Sequence, residues 1–245
     1  MSVVGVIGGS GAELYPAQTH IEILQLDTAW GRPSAPIKRW KQQGHEICFL
    51  ARHGERSQIP PHRVNYRANI QALADLNVDY VIATNAVGGI SAVAKPGMLI
   101  IPDQLIDYTS GRSHTYFDGD NNDVIFTEFT KPYNQNLRSN LVDAGNNCKL
   151  SLIAGGTYGV TQGPRLETAA EIDRLERDGC AIVGMTAMPE AALARELGLH
   201  YASCCSVVNY AAGRSEQAIH AEMATFLQQG IERTAVLIDQ LLQDL

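Results

Sequence analysis

The stretch that decides the fold comprises residues 163–171 and reads GPRLETAAE. Its Gly-Pro pair indicates a turn, and the pattern that follows predicts an amphipathic helix over 168–177. Leu166 and Glu167 then lie between a strand and a helix, where α/β proteins commonly hold ligands. An apolar side chain beside a carboxylate can cover a flat ring and accept a hydrogen from its edge. The acids also fit an ordinary helix start, since Glu is favourable near a positive helix end.

Strand and helix patterns alternate on both sides of this stretch. Strands are predicted over 3–7, 21–26, 46–51, 78–83, 97–105, 150–158, 181–183 and 200–208. Helices are predicted over 64–76, 133–144, 168–177, 189–197 and 215–242. This alternation predicts an α/β protein, a single domain over residues 1–245 with a central mixed sheet flanked by helices. Residues 107–131 form a polar, turn-rich excursion, which we expect to be functional or interfacial.

Composition excludes several classes of function. The chain has 245 residues and a formal charge of −7 without a block of Lys and Arg, which argues against a nucleic-acid surface. No run approaches the roughly 20 apolar residues of a membrane span. The first residues lead directly into strand-like sequence, so we expect a cytoplasmic protein. The five cysteines show no metal spacing, and Cys204 and Cys205 read as reduced, buried thiols. We therefore expect no metal site.

Groups that could bind an anion follow four predicted strands. Residues 8–11 (GGSG) allow backbone N–H groups to converge, with Ser10 as a further donor, although a structural turn explains them equally. Arg52 could bind phosphate with two hydrogen bonds, and His53 could add a third. Taken singly, the two residues are more simply interpreted as a surface arginine and a loop histidine. Residues 84–89 and Thr186 follow two further strands. If these strands are neighbours, the groups form one pocket that positions an anion, without a covalent nucleophile or metal.

Six motifs together resemble the trimeric purine nucleoside phosphorylase and methylthioadenosine phosphorylase family. They follow the same order over nearly the whole chain. Only the last two, GPRLET and GMTxxPE, are strong individually. The motifs are GGSG (8–11), RHG (52–54), VNYRAN (64–69), NAVGG (85–89), GPRLET (163–168) and GMTxxPE (184–190).

The resemblance implies that inorganic phosphate attacks C1′ of a purine nucleoside and releases the free base. It also implies a homotrimer that needs phosphate as co-substrate and no cofactor. Met185 would lie against the ribose, and Leu166 stands where many relatives carry an aromatic residue over the base. The groups that would hold phosphate are Ser10, Arg52, His53, Asn85, Ala86 and Thr186, and those nearest the chemistry are Asn209, Thr186 and His53.

Two positions predict the choice of base. Glu167 can accept the N1–H of a 6-oxopurine, whereas the N1 of adenine has no hydrogen to give. Asn209 stands where adenine-preferring members carry aspartate, and Ala211 replaces a second aspartate of those members. An asparagine can donate to O6 and accept from N7–H, which assists departure of the purine. Mismatched buried groups cost about 1–3 kcal/mol each, so we expect a preference for 6-oxopurines.

The 5′ end of the substrate is predicted from the start of the last helix. Arg67 and residues 111–119 look most like methylthioadenosine phosphorylases, and Ile219, Ala221 and Met223 could form an apolar wall for a methylthio group. His220 lies near where ordinary nucleoside phosphorylases place a histidine for the 5′-hydroxyl, but it also fits a solvated helix position about 100° away from that wall.

Together these residues favour S-methyl-5′-thioinosine as the substrate, with hypoxanthine and 5-methylthioribose 1-phosphate as products. Methylthioadenosine phosphorylase and a general inosine or guanosine phosphorylase are the alternatives. A purine-binding module without activity is the alternative outside enzymes. Arg52, His53 and Thr186 argue against that module, because a protein that binds only the base has no use for a phosphate site.

Overall fold

The computed structural model describes residues 1–11, 20–119 and 124–245. The strands in these residues are β1 (Val3–Gly8), β2 (Glu22–Leu24), β3 (Ile37–Gln42), β4 (His45–Ala51), β5 (Tyr80–Gly89), β6 (Leu99–Ile101), β7 (Gln104–Asp107), β8 (Leu152–Ala154), β9 (Thr157–Val160), β10 (Cys180–Gly184) and β11 (His200–Tyr210). The α-helices are α1 (Tyr66–Asp75), α2 (Gln135–Asn147), α3 (Ala169–Arg177), α4 (Ala187–Glu196) and α5 (Ile219–Asp244), and Pro61–Arg63 is a short 3₁₀ helix.

The described strands form one mixed sheet. Its main path runs β2-β3-β4-β1-β5-β10-β9-β7, and β11 joins β5 to β6, which in turn pairs with β8. The centre is parallel, with β1 between β4 and β5, and β11 beside β5. These central strands are almost entirely buried, which explains their continuous apolar sequence rather than an alternating one.

Helices pack against this sheet and against one another. Helix α5 contacts β11 and α2, α1 contacts α4, and α3 contacts β10. Helix α3 begins with a reciprocal cap, in which Thr168 Oγ accepts from the Glu171 N–H and the Glu171 carboxylate accepts from the Thr168 N–H. In the described part of the chain, no helix combines the length and apolar character of a membrane span. The predicted fold class, an α/β domain with a central mixed sheet, is confirmed, while its bounds at residues 1–245 stay a prediction.

Several element bounds differ from the sequence prediction. The predicted strand 97–105 is two strands, β6 and β7, because Pro102 between them has no N–H for a ladder. The predicted strand 150–158 is also two, β8 and β9, separated by Gly155 and Gly156 with φ of 106° and 110°. Strand β3 was not predicted, because its sequence IKRWKQ carries three charges and lacks a continuous apolar run. It pairs with β4 on one side and with β2 on the other, near the end of the sheet.

The most consequential difference concerns residues 84–89, which were predicted to follow a strand. They belong to β5, which extends to Gly89 because β11 pairs with it along its whole length. On the other edge, β1 pairs with β5 only as far as Ala83, and β10 pairs with Gly88 and Gly89. Residues 84–87 therefore lie in a gap between β1 and β10, with one edge free of strand partners.

Candidate active site

A cleft of about 280 Å³ opens at this gap in the sheet. The ends of β1, β4, β10 and β11 surround it, with the start of α5 and the loop before α3. Its volume is close to that of pockets that hold small ligands. Two residues suggested by the sequence, His220 and Ala221, are outside the lining, which includes these predicted site residues: Ser10, Arg52, His53, Asn85, Ala86, Leu166, Glu167, Met185, Thr186, Asn209, Ala211, Ile219 and Met223.

Two glycines keep the cleft open. A Cβ on Gly9 would lie 2.8 Å from the Thr84 carbonyl oxygen, so only glycine lets this loop approach β5. A Cβ on Gly88 would lie 3.2 Å from Asn209 Nδ2 and 3.4 Å from Ala211 Cα. Any other residue at position 88 would therefore press on the two positions predicted to read the base.

The backbone of β5 faces the cleft at alternate residues. Arg52 Nη1 donates to the Thr84 carbonyl oxygen at 3.1 Å, so the backbone groups of Thr84 point towards the gap. Since residues two apart in a strand present their N–H and C=O to the same edge, Ala86 points its N–H there as well. The gap thus offers a backbone donor within a largely buried strand.

Arg52 is fully buried and does not offer the open two-pronged grip that the sequence suggested. Its Nε and Nη2 donate to the two carboxylate oxygens of Glu190 at 2.8 and 2.9 Å. Tyr201 Oη donates to the same carboxylate at 2.9 Å. Burial would lower the pKa of Arg52, but the Glu190 charge and hydrogen bonds outweigh it and hold the pKa above its ordinary value. The bidentate partner of Arg52 is therefore Glu190, because a buried guanidinium needs a counter-charge.

His53 has a defined tautomer. Its Nδ1 lies 2.8 Å from the Ile59 carbonyl oxygen, and since a carbonyl only accepts, Nδ1 carries the hydrogen. Burial, followed by the nearby charge of Arg52, lowers the pKa of His53 below its ordinary value. The ring is therefore neutral at pH 7, and its Nε2 is an acceptor.

The side chains of Asn85 on β5 and Thr186 at the start of α4 contact each other. Asn85 Nδ2 lies 2.9 Å from Thr186 Oγ1, and Asn85 Oδ1 is buried without a hydrogen-bond partner among the described residues. Thr186 is the N-cap residue of α4, yet its hydroxyl makes no capping hydrogen bond. Asn85 Oδ1 and the Thr186 hydroxyl hydrogen are therefore available for further hydrogen bonds. Ser10, which also lines the cleft, is exposed.

Glu167, also in the cleft lining, is held as an acceptor. Thr161 Oγ1 donates to Glu167 Oε1 at 2.5 Å, and the Thr161 N–H donates to the Gly184 carbonyl at 2.8 Å. One carboxylate oxygen is occupied in this way, and the other remains available to a ligand. Leu166 beside it is 37% exposed, so it can cover a ring only from one side.

Asn209 lies on β11 where the pairing register with β5 shifts. Its Nδ2 donates to the Tyr210 carbonyl at 2.7 Å, which leaves one N–H and the carbonyl oxygen of the amide. The following backbone is fixed by buried Glu222, which accepts from the Tyr210 N–H at 2.7 Å and from Ser215 Oγ at 2.8 Å. Ala211 is buried beside them, and no carboxylate is present at that position.

The start of α5 contributes an apolar side to the cleft. Ile219 and Met223 are one turn apart and line the cleft, as Met185 does. Ala221, which the sequence suggested as part of the same wall, is exposed and outside the lining. His220 is also exposed and outside the lining, because helical geometry turns it away from the face that carries residues 219 and 223.

Three polar residues of the site were not assigned roles from the sequence. Glu190 pairs with Arg52, which is 138 positions away in the sequence, so no local pattern predicts the pair. Thr161 precedes the Gly-Pro turn as an ordinary threonine, and Glu222 resembles any acid in the first turn of a helix. A buried carboxylate in an apolar stretch, such as Glu190 within residues 187–194, is the signal that could have indicated one of them.

In the described part of the chain, no residues are arranged for metal binding or thiol catalysis. No cluster of three or more His, Cys, Asp or Glu side chains suited to a metal occurs there. All five cysteines are free. Burial raises the pKa of the Cys204 thiol to about 12, so it stays protonated and unreactive near neutral pH.

Comparison with known proteins gives a consistent result. The model of the phosphorylase superfamily matches residues 3–243. A probable S-methyl-5′-thioinosine phosphorylase of Pseudomonas syringae pv. tomato is 46% identical over 245 residues, covering 99% of both chains. One from Xanthomonas campestris pv. campestris is 51% identical over 214 residues, covering 86% of this chain and 84% of the relative. The 6-oxopurine nucleoside phosphorylase of Pyrococcus furiosus is 41% identical over 244 residues, covering 97% and 91%.

A solved structure shares the architecture. It is a double mutant of adenosine/methylthioadenosine phosphorylase from Schistosoma mansoni in complex with adenine. The TM-score is 0.93 at 27% identity, and the match covers 99% of this chain and 91% of that one. The nucleoside phosphorylase-like fold predicted from sequence is therefore confirmed.

The Arg52–Glu190 pair yields a prediction about stability. Glu190→Gln removes the counter-charge and keeps the shape, so it should lower the free energy of unfolding by about 3 kcal/mol or more. Tyr201→Phe removes one hydrogen bond from the same carboxylate and should cost about 1 kcal/mol. Urea denaturation followed by circular dichroism measures both. Equal losses in the two variants would contradict a dominant role for the buried charge.

Proposed function

The chain belongs to the phosphorylase superfamily, and we propose that it cleaves 6-oxopurine nucleosides with phosphate, S-methyl-5′-thioinosine being the preferred substrate. It is an enzyme, a purine nucleoside phosphorylase, as its relatives and structural neighbours are. One observation carries the substrate proposal. Glu167 and Asn209 line the same cleft as Arg52, His53 and Thr186. A purine edge and a phosphate can therefore occupy one continuous space.

Phosphate binds at the gap in the sheet in this proposal. The donors are the Ser10 loop, the Ala86 N–H, Thr186 Oγ and the Arg52 hydrogens that Glu190 does not use. Asn85 Nδ2 donates one hydrogen to Thr186 Oγ1 and has a second for the anion, so the single hydroxyl hydrogen of Thr186 is also left for the anion. Neutral His53 accepts the hydrogen of monohydrogen phosphate at Nε2. Hydrogen-bond donors hold the anion, since the Arg52 charge is already balanced by Glu190.

The base end reads the oxo edge of the purine. The free oxygen of Glu167 accepts N1–H, because Thr161 occupies the other oxygen. Asn209 donates its remaining N–H to O6 and accepts from N7–H. With adenine, the N1 lone pair would face a carboxylate, and a mismatch of this kind costs about 1–3 kcal/mol. Leu166 covers the ring with weaker contact than an aromatic residue would give.

The reaction balances without a cofactor. A phosphate oxygen forms a bond to C1′ as the C1′–N9 bond breaks, and the bonding electrons pass into the purine. The base takes one proton and monohydrogen phosphate gives one up, so hypoxanthine and a ribose 1-phosphate ester result. Asn209 stabilises the departing purine by donating to O6, where negative charge develops, and by accepting from N7 after N7 has taken the proton. Met185 lies against the sugar between the two reacting partners.

The 5′ substituent meets Ile219 and Met223. An apolar pair favours a methylthio group over a hydroxyl, since burying the hydroxyl there leaves it unpaired. His220 is exposed, so it is not needed for a 5′-hydroxyl in this proposal.

Comparison of three nucleosides tests the proposal. The ratio kcat/KM for S-methyl-5′-thioinosine should exceed that for methylthioadenosine, and that for inosine, by about tenfold or more. Turnover should require phosphate and be unchanged by EDTA. Methylthioadenosine as the best substrate would reject the roles of Glu167 and Asn209. Inosine as the best substrate would reject the apolar wall, and base release without phosphate would indicate a hydrolase.

The role of Asn209 has a separate test. Asn209→Asp should raise the ratio of kcat/KM for the 6-amino over the 6-oxo substrate by about tenfold, because a carboxylate accepts from a 6-amino group and repels O6. Asn146→Asp makes the same chemical change on the exposed end of α2 and should leave the ratio unaltered. An unchanged ratio in the first variant would show that Asn209 does not read the base.

We also propose that the enzyme is a homotrimer and that residues 107–131 reach a neighbouring subunit. Residues 120–123 of this excursion lie outside the described residues. Val124, Ile125 and Phe126 are 64%, 51% and 94% exposed, an apolar surface that supports an interface. Sedimentation should give three times the chain mass of 26.6 kDa. Phe126→Asp should weaken assembly, whereas Val93→Asp on another exposed apolar residue should not. A monomeric native protein contradicts this proposal.

A cytoplasmic location is also part of the proposal. The five free cysteines fit a reducing compartment. Cell fractionation tests this location, and recovery outside the cytoplasm would reject it.

A further inference from the structure

Arg112 connects the two halves of the cleft, although it is not among the cleft-lining residues. It lies in the 107–131 excursion. Its Nη1 donates to the carbonyl oxygens of Met185 at 2.8 Å and Met188 at 2.6 Å. Its Nη2 donates to the carbonyl oxygen of Gln162 at 2.9 Å and lies 3.4 Å from that of Thr161. One guanidinium therefore holds backbone from two separate segments.

Those two segments carry different parts of the proposed site. Residues 161–167 include Thr161 and Glu167, which would read the base. Residues 185–188 include Met185 and Thr186, which would meet ribose and phosphate. The carbonyl of Met185 immediately precedes Thr186, and the Thr161 carbonyl belongs to the residue whose hydroxyl orients Glu167. A change in the position of Arg112 therefore moves both ends of the cleft relative to each other.

The chemistry of this contact requires arginine. The six oxygen acceptors of Arg112 are neutral: four backbone carbonyls, Gln162 Oε1 at 3.1 Å from Nε and Tyr66 Oη at 3.3 Å from Nη1. A planar guanidinium with five N–H groups can serve several directions at once, whereas an ammonium group has three donors and no fixed plane. Its Cζ also lies 5.5 Å from the centre of the Tyr66 ring.

We propose that Arg112 is a positioning residue that sets the alignment of the purine with the phosphate. This inference rests on the proposed function. Arg112 touches neither ligand; it acts through the backbone of the two segments that do. Reaction requires the phosphate oxygen, C1′ and N9 to be in line, and a displacement of about 1 Å can reduce the rate roughly 100-fold. Binding of either ligand alone does not depend on that alignment.

The test combines kinetics with ligand binding. Arg112→Ala should lower kcat roughly 100-fold, while the Kd of hypoxanthine measured alone stays within about threefold, since the Glu167 and Asn209 groups remain. Added methylguanidinium should restore at least about a tenth of the lost kcat, and equal ammonium should not, because only the former reproduces the fork. Arg112→Lys should remain impaired.

Arg138→Ala is the matched control. Arg138 also donates to two backbone carbonyls, those of Pro102 at 2.7 Å and Ile101 at 3.3 Å, but neither belongs to the cleft lining. Its loss should lower the melting temperature without changing kcat. If Arg112→Ala behaved in the same way, or if its low kcat matched a general loss of folded protein without rescue, the contact would be merely structural and the inference would be wrong.

Amide hydrogen exchange separates this inference from the proposed function. Wild-type turnover decides whether the enzyme is the phosphorylase proposed above. Independently of turnover, Arg112→Ala should speed exchange in residues 161–167 and 185–188 together and leave β1 and β4 unchanged. Unchanged exchange in both segments would overturn the inference even if the wild type is active. Coupled acceleration would support it even if the substrate proposal failed.

Discussion

The gap along one edge of β5 is the constraint on which the site depends. Strand β11 pairs with one edge of β5 along its whole length. On the other edge, the pairing with β1 ends at Ala83 and the pairing with β10 begins at Gly88. Buried backbone groups need partners, so a gap in a central strand is tolerated only if something else supplies them. Arg52 donates a hydrogen bond to the Thr84 carbonyl, and the proposed phosphate would accept one from the Ala86 N–H. The ligand thus takes the place of a missing strand.

The buried Arg52–Glu190 pair keeps this gap open. Removing two charges from water is costly, and the cost is offset only by close geometry and further hydrogen bonds. Both oxygens of Glu190 accept from Arg52, and Tyr201 adds a donor. The pair joins the end of β4 to α4 and β11, which fixes the segments that carry His53 and Thr186. Its charges cancel, so the proposed phosphate would be held chiefly by directed hydrogen bonds.

The rest of the cleft follows the same principle, in which groups outside the lining fix groups inside it. Thr161 occupies one oxygen of Glu167, and Glu222 fixes the backbone that follows Asn209. The guanidinium of Arg112 contacts the backbone of the segment that carries Glu167 and of the segment that carries Met185 and Thr186. Preorganised groups of this kind lose little freedom when a ligand binds, which favours catalysis by alignment and electrostatics over covalent chemistry.

The sequence by itself determined the α/β class and the residue types at the cleft, and it supplied the prediction of a preference for 6-oxopurines. These properties are local: apolar runs predict strands, and a carboxylate or carboxamide has the same donors and acceptors in any fold. The helical repeat even separated Ile219 and Met223 from His220 before any contact was known. The outline of the chemistry could be read in the same way, since small residues and donors occur at or near the ends of successive predicted strands.

Only the tertiary structure decided how those residues are used. The two prongs of Arg52 are occupied by a residue 138 positions away, and residues 84–89 form a strand because β11, far along the chain, pairs with them. Gln162, Met185 and Arg112 likewise meet through loops whose spacing carries no signal. Hydrogen bonds between distant segments depend on three-dimensional register, which composition and periodicity do not encode.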